Sequence, residues 1–317
     1  MPTEKESIRI DFVHVDGKFD EKTGKFSGTL IPDPERYEWI TIRKEKYLHD
    51  KFDDIVISET EFSKMFQNGT KSQPLYYSAP KIKDIPAYVK SRIPYIKNFL
   101  DGKKEDYKMI DKSEDFLKSL EKDEKKFVIL TVDIKGSTKL SQSLNKKENA
   151  MLIALFAKEM AGIVNNYNGF ILKYVGDGLI AYFPEPNFIG MNDNAVDCAM
   201  CMKYLIVNGI NKVLLKKKLP KLKFRIGIDS GEAMIMDIGN EVIKKHKDLI
   251  GETINLSSKI QAKAKTNGIS IDNATARNLH VSRKKWFSKY TPTGWNYTQK
   301  DGTIYPVYMM TTKFKNN

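Results

Sequence analysis

The sequence predicts an α/β protein, and three observations carry that expectation. Beyond Val132, short apolar runs alternate with long stretches of helical spacing. The runs FILKY (170–174) and LIAYF (179–183) are separated only by Val175-Gly176-Asp177-Gly178, which reads as a strand, a tight turn and a returning strand. FVILTV (127–132) is apolar without alternation, as a strand covered on both faces is. Together they describe an α/β sandwich with an internal hairpin rather than a plain doubly wound sheet.

Taken in order, the first elements are the alternating stretches IRIDFVHV and KFSGTLI between Ser7 and Leu30, split by Asp, Gly and Lys and read as a strand pair. Residues 87–100 read as a helix that Pro94 must kink or cap. Residues 101–126 are dense in charge, lack Pro and have no Gly after Gly102, so they read as an exposed connecting helix. After the 127–132 strand, Leu152, Leu155, Phe156, Met160 and Ile163 mark a helix over 145–167. Beyond the hairpin come a second helix over about 193–216, strands at 222–228 and 233–238, a third helix over about 252–265, and a strand entry at 267–273. The expected domains are a regulatory or partner-binding domain (1–100), a charged helical linker (101–126) and a catalytic domain (127–312).

Composition narrows the class. The chain has 317 residues, of which 41% are hydrophobic and 29% charged, which excludes a disordered protein. No period of 20–50 residues recurs, so a solenoid is not suggested. No uncharged apolar run, Phe127–Val132 included, approaches a bilayer span, and MPTEKESIRIDF lacks a signal-type apolar stretch. Two cysteines exclude a disulfide framework. The expectation is a soluble, cytoplasmic protein with no membrane partner. Residues 1–126 hold 25 basic and 25 acidic groups, so the whole net charge of +13 belongs to residues 127–317. Such a segment attracts polyanions, nucleotide phosphates included, or simply carries a solubilising surface such as Lys216-Lys217-Lys218. A nucleic-acid reader is not expected, because the lysine runs have no interleaved aromatics or recognition motif.

Two carboxylates stand out. Asp133 ends the apolar run and is followed by Gly136, and Asp177 lies in the Gly-Asp-Gly turn. A carboxylate at a strand end beside a glycine suits a divalent cation that holds phosphates. Asp177 alone also fits as a plain hairpin residue, whereas no turn rule asks for an acid at 133. Cys198 and Cys201 share one apolar helical face, which favours core packing over redox chemistry. His14, His49, His246 and His280 lack a second ligand at metal spacing, and ordinary structural roles are expected for them.

Four motifs in order now resemble one family: VDIKGST, KYVGDGLIAYF, RIGIDSGEA and KDLIGETINLSSKIQ. Residues 127–309 look like a class III nucleotide cyclase domain, the fold of adenylate and guanylate cyclases, with a ferredoxin-like βαββαβ core. The resemblance implies that Asp133 and Asp177, with the Ile134 main chain, hold two Mg²⁺ or Mn²⁺ ions. It implies that the backbone of Ile134, Lys135, Gly136, Ser137 and Thr138 cradles the β- and γ-phosphates. Lys173 falls where adenylate cyclases place an adenine-reading lysine and guanylate cyclases a glutamate, and Asp248 falls where the adenine amino group is met. Asn255 would orient the ribose, and Lys259 stands where the family usually has arginine to stabilise charge on the α-phosphate. The family draws its metal aspartates from one subunit and its base-reading and transition-state residues from the other, so a head-to-tail homodimer is implied.

The implied reaction is attack of the ribose 3′-oxygen on the α-phosphorus of a nucleoside triphosphate, expelling pyrophosphate. It depends on positioning and charge neutralisation. The Lys173 and Asp248 pair points to ATP and cyclic AMP. Bulky Tyr174 and Tyr167 near the base pocket keep open a uridylate or cytidylate cyclase of antiphage defence. A catalytically silent, nucleotide-binding relative is the remaining alternative. Departures from the pattern are Lys259 for arginine, which loses the planar fork, and Glu232 where some members have arginine. Lys300 is a further candidate contact to the triphosphate, and Asp229 has no metal role in the family.

Overall fold

The computed structural model describes residues 9–20, 25–68, 79–103, 116–117, 124–184, 190–240 and 244–312. The chain divides into two compact units, Met1–Tyr76 with Arg277–Lys285, and Tyr77–Ala276 with Trp286–Asn317.

The smaller unit holds the expected strand pair, β1 (Phe12–Asp20) and β2 (Lys25–Pro32), antiparallel with a register shift between Val15 and Lys18. It also holds elements with no sequence signal: the antiparallel sheet β3 (Tyr37–Ile42), β4 (Glu45–Asp50) and β5 (Ile55–Ser58), and helix α1 (Glu59–Asn68). His49, on β4, lies 3.0 Å from both Glu38 and Asp54, and these carboxylates raise its pKa. The centre of the unit is ionic. Fully buried Arg36 donates to Asp50 (2.8 Å) and Asp11 (3.0 Å), and to the carbonyls of Arg277 and Leu279. Lys284 donates to Asp53 at 2.6 Å, and the Val281 amide to Asp11. Buried charges persist only with partners of this kind, so the ring of Asp11, Asp50 and Asp53 fixes segment 277–285 within the unit.

The larger unit begins with α2 (Ile85–Leu100). Asp84 caps it by accepting from the Ala87 amide, and Pro94 lies inside the helix rather than ending it. This helix was expected in the N-terminal domain, yet it packs in the larger unit. Arg92 makes two hydrogen bonds to buried Glu159, at 2.9 and 2.7 Å, which dock it on the core. Most of the expected connecting helix at 101–126 lies outside the described residues, and residues 124–126 are strand.

The main sheet has the order β12-β13-β11-β9-β6-β8-β7, with β10 paired to β9. Its centre is β6 (Glu124–Ile134), antiparallel to β8 (Gly178–Pro184) on one side and β9 (Phe224–Asn240) on the other, with β7 (Phe170–Val175) beyond β8. With helices α4 (Lys146–Asn166) and α5 (Met191–Leu205) as crossovers, the order β9-β6-β8-β7 is the expected βαββαβ core. The α4 N-terminus is a capping box, with Asn145 and Glu148 satisfying each other's amides.

Alternation along β6 explains both its composition and the placement of its aspartate. Phe127, Ile129, Thr131 and Asp133 share one face, and Val128, Leu130 and Val132 the other, with the six apolar or hydroxyl residues from Phe127 to Val132 all buried. On the first face lie Ile180, Tyr182, Leu249 and Ile254. The same face receives α7 (Glu252–Lys263), tied by a 3.0 Å hydrogen bond between Ser257 and Thr131. Gly227 permits this approach, since a Cβ there would come within 2.3 Å of the Gln261 amide and the Ser257 carbonyl.

Further elements are α3 (Ser137–Gln142), α6 (Asn211–Lys216), β10 (Lys244–Ile250), β11 (Gly268–Asp272), β12 (Phe287–Tyr290) and β13 (Val307–Met310), with short helices at Asn273–Arg277 and Val281–Lys284. The expected helix over about 193–216 runs as α5, a π-type turn at Ile206–Ile210, and α6. By length and composition Met191–Lys216 matches a membrane-crossing helix, although polar and charged residues interrupt its apolar runs. Its Ala195, Cys198, Ala199, Cys201, Met202 and Leu205 are fully buried within the unit.

One expectation is corrected: the separate strands at 222–228 and 233–238 are one 17-residue strand, β9, with Asp229–Glu232 inside its ladder. The third helix begins at Glu252 as expected, and Asp248 lies on the strand that precedes it.

Candidate active site

Asp133 is the penultimate residue of β6, and Asp177 sits in the turn between β7 and β8, the strand hydrogen-bonded beside it. Gly176 takes a positive φ of 60° in that turn. Gly178 faces the end of β6, where a Cβ would lie 2.5 Å from the Val132 carbonyl and 3.3 Å from Asp133 Oδ1. A glycine therefore lets the turn close onto Asp133. The two carboxylates lie within hydrogen-bonding reach, and burial followed by the Asp177 charge raises the Asp133 pKa. Arg225 (3.6 Å) and Gln261 (3.3 Å) approach Asp133 Oδ2 and oppose that rise. Asp177 Oδ2 is buried and has no hydrogen-bond partner. Two facing carboxylates, one with an orphaned buried oxygen, fit a divalent cation, the hard ion for which such ligands are suited.

The loop after Asp133 turns at Gly136, whose φ is 78°, and leads into the first turn of α3. Space around Gly136 is open. Not every amide of the expected phosphate cradle is available: the Lys135 amide donates to the Lys223 carbonyl, and its ammonium to Thr266. The amides of Gly136, Ser137 and Thr138 precede or begin the helix, where donors lack intrahelical acceptors.

A second group forms elsewhere on the unit. Lys173, on β7, donates to Asp248 Oδ2, on β10, at 2.6 Å. Asp248 is buried, Lys173 is partly exposed, and His246 lies 3.9 Å from the same oxygen. Asn255 and Lys259 sit one helical turn apart on the exposed side of α7. The Lys259 ammonium lies 3.9 Å from the centre of the Tyr297 ring. The structure thus brings together Asp133 with Asp177, and Lys173 with Asp248, and sets Asn255 beside Lys259.

Several sequence candidates lie elsewhere. Tyr167 is buried just beyond the end of α4, beside Cys198 and Cys201. Tyr174 is exposed next to Lys173. Lys300 lies exposed in a loop. Asp229 is buried, accepts from the Tyr305 hydroxyl at 2.9 Å, and is held well above the usual carboxylate range by burial and by Asp272. His280 caps the short helix Val281–Lys284. Sequence reasoning missed Arg225 and Gln261 as neighbours of Asp133, although Arg225 opens the RIGIDSGEA motif.

The model of the adenylate and guanylate cyclase catalytic domain matches residues 120–297, more than half of the chain. The chain belongs to this family. An adenylate cyclase of Anabaena cylindrica is 27% identical over 164 residues, 49% of this chain and 31% of that protein. A uridylate cyclase of Treponema porcinum is 28% identical over 160 residues, 48% of this chain and 54% of that protein. A cytidylate cyclase of Staphylococcus aureus is 28% identical over 159 residues, 49% of this chain and 38% of that protein. The chain thus matches between about a third and a half of the length of these relatives. Among solved structures, the adenylyl cyclase CyaB of P. aeruginosa superposes with a TM-score of 0.53 at 22% identity, covering 62% of this chain and all of that one, which shows the shared fold. Class III cyclase domains bind nucleoside triphosphates, generally use divalent metal ions and typically dimerise.

Proposed function

We propose that this cyclase domain converts ATP to 3′,5′-cyclic AMP and pyrophosphate in a homodimer, with Asp133, Asp177 and the Ile134 main chain holding two divalent ions. The observation that carries the choice of base is the Lys173–Asp248 pair, which sets a donor and an acceptor side by side. Adenine offers the complementary edge, with ring N1 accepting and the 6-amino group donating.

Bound Mg²⁺ or Mn²⁺ supplies Lewis-acid activation of the ribose hydroxyl and neutralises the triphosphate. The chain's own groups do the rest by positioning and charge. Amides at Gly136, Ser137 and Thr138 receive phosphate oxygens at the start of α3. Asn255 orients the ribose, and Lys259 stabilises the negative charge that grows on the α-phosphoryl oxygens. Lys173 and Asp248 exchange part of their mutual contact for the base edge. The second subunit is supported by the hairpin β9–β10. There Met234, Met236, Ile238 and Ile250 share one face by register and are exposed, a surface suited to another copy of the chain.

A second reading is a pyrimidine cyclase. Cytosine presents the same acceptor–donor edge as adenine in its N3 and 4-amino group, and the uridylate and cytidylate cyclases match about as well as the adenylate cyclase. The test is to incubate the purified protein with ATP, GTP, CTP and UTP in Mn²⁺ and resolve products by mass spectrometry. Cyclic AMP is expected. Cyclic CMP or UMP would overturn the base assignment and favour a defence role, and no product at all would favour a silent, nucleotide-binding domain.

A further inference from the structure

We propose that Tyr297 is a positioning residue, which holds the Lys259 ammonium where the reaction needs it; the proposal rests on the cyclase reading above. Lysine carries a compact, strongly hydrated charge on a flexible four-carbon stem, without the planar fork that orients an arginine. On an exposed helix face such a side chain samples many rotamers, whereas in-line displacement demands a charge at one place. The Tyr297 ring, 3.9 Å from Lys259 Nζ, removes that freedom.

An aromatic face suits this task better than a carboxylate. Its quadrupole attracts the cation without cancelling its charge, and the N–H donors that point away from the ring stay available for phosphoryl oxygens. Among the described residues no carboxylate forms an ion pair with Lys259.

The ring is itself fixed. Tyr297 packs on Trp295 at 5.4 Å between centroids, and the Tyr305 amide donates to the Tyr297 carbonyl at 2.8 Å. Trp295 Nε1 donates to the Tyr305 carbonyl at 2.9 Å, and the Tyr305 hydroxyl reaches Asp229 on β9. Ile260, next to Lys259, is buried with Trp295 and Val307 in the cluster against which Tyr297 and Tyr305 pack. One cluster therefore sets both the helix that carries the lysine and the ring that receives it.

The experiment compares Y297L and Y297F with the wild type under saturating Mn²⁺ and varied ATP, and records the ε-methylene signal of Lys259 in protein labelled with ¹³Cε-lysine. Y297L is expected to lower kcat roughly tenfold with KM within about twofold, because the ammonium acts on the developing charge. Y297F, which keeps the ring face, is expected to restore kcat to within about twofold of wild type. The ring current is expected to shift the Lys259 signal upfield in wild type and Y297F, but not in Y297L. An unchanged kcat in Y297L, or a loss in Y297F equal to that in Y297L, would overturn the proposal. So would a wild-type Lys259 signal at the ordinary lysine position, whatever the turnover. If the shift is present and wild type cyclises none of the four triphosphates, the cyclase reading fails and the positioning role falls with it.

Discussion

Lys173 Nζ donates to Asp248 Oδ2 at 2.6 Å, across strands that are far apart in the sequence. The donor and the acceptor expected to read a base thus engage each other directly, and an incoming base must compete with that contact. Because Lys173 is about 40% exposed, water weakens the pair enough for the exchange to be cheap.

Replacing Lys173 with Glu is expected to shift base preference away from ATP by about a hundredfold in kcat/KM, the loss of a charge-assisted hydrogen bond plus a new repulsion. Stability is expected to fall by only about 1–2 kcal/mol, since the pair is partly exposed. Competition among the four triphosphates, read by mass spectrometry, checks the first figure and urea unfolding the second. An unchanged preference would mean that Lys173 does not read the base.

Asp133→Ala and Asp177→Ala are each expected to remove more than about 99.9% of cyclisation while leaving the fold in place. Wild type should melt at higher temperature in Mn²⁺, as any ligand of the folded state ensures, and neither variant should respond. Without metal, both variants are expected to match or exceed the wild-type melting point, because each relieves the crowding of two carboxylates. Normal turnover in either would remove the two-metal assignment.

Gly178→Ala and Gly136→Ala separate packing from backbone strain. At Gly178 a methyl would meet the Val132 carbonyl at 2.5 Å, so a loss of about 2–3 kcal/mol and a weaker Mn²⁺ response are expected. At Gly136 the space is open and only the positive φ of 78° counts against alanine, about 1–2 kcal/mol. Equal losses in thermal unfolding would contradict the close approach at Gly178.

Stability is expected to depend on Asp272, whose pKa burial pushes up to about 6 despite the hydrogen bonds it accepts from Ser230, Ala274 and Thr275. The folded state then binds a proton more tightly than the unfolded chain. Its contribution is complete below about pH 4 and is lost as pH rises through about 6, a change of about 3 kcal/mol. Asp229 beside it, also raised by burial, adds in the same sense. The difference in stability between wild type and Asp272→Asn, measured in urea at pH 4.5 and 7.5, should shrink or reverse at the higher pH. A constant difference would show that Asp272 does not titrate in this range.

The core of the fold was legible wherever local pattern and tertiary role agreed. Phe127–Val132 lacks alternation because both faces of β6 are covered, and Asp133 was noticeable because it ends that run. The capping box at Asn145 and Glu148 and the hairpin at Asp177 are local signals of the same kind. The misread parts depend on distant partners. Asp229–Glu232 looks like a turn, yet Gly231 is there to clear Thr253, whose hydroxyl would lie 2.4 Å from a Cβ. Asp229 is tolerated in a buried strand because Tyr305 reaches it. Strands β3 and β5 show little alternation, since Trp39, Ile42 and Val56 face solvent. In the site, Asp133 and Asp177 could be found from glycines beside them, but Tyr297 carries no motif and Gln261, although it closes KDLIGETINLSSKIQ, is tied to Asp133 only by what it touches.

The segment Arg277–Lys285 follows β11 and precedes β12 in the chain, yet its partners Arg36, Asp11 and Asp53 come from the first 76 residues. The smaller unit is therefore assembled from two separate stretches of the chain. A fragment that starts at Tyr77 would keep Lys284 while discarding its counter-ion, and would strip the segment of the guanidinium that binds its carbonyls. Inactivity in such a fragment would reflect an injured polypeptide, and says nothing about whether the missing unit acts as an activator. Charge-matched substitutions at Arg36 in the intact chain are the sounder way to separate architecture from control.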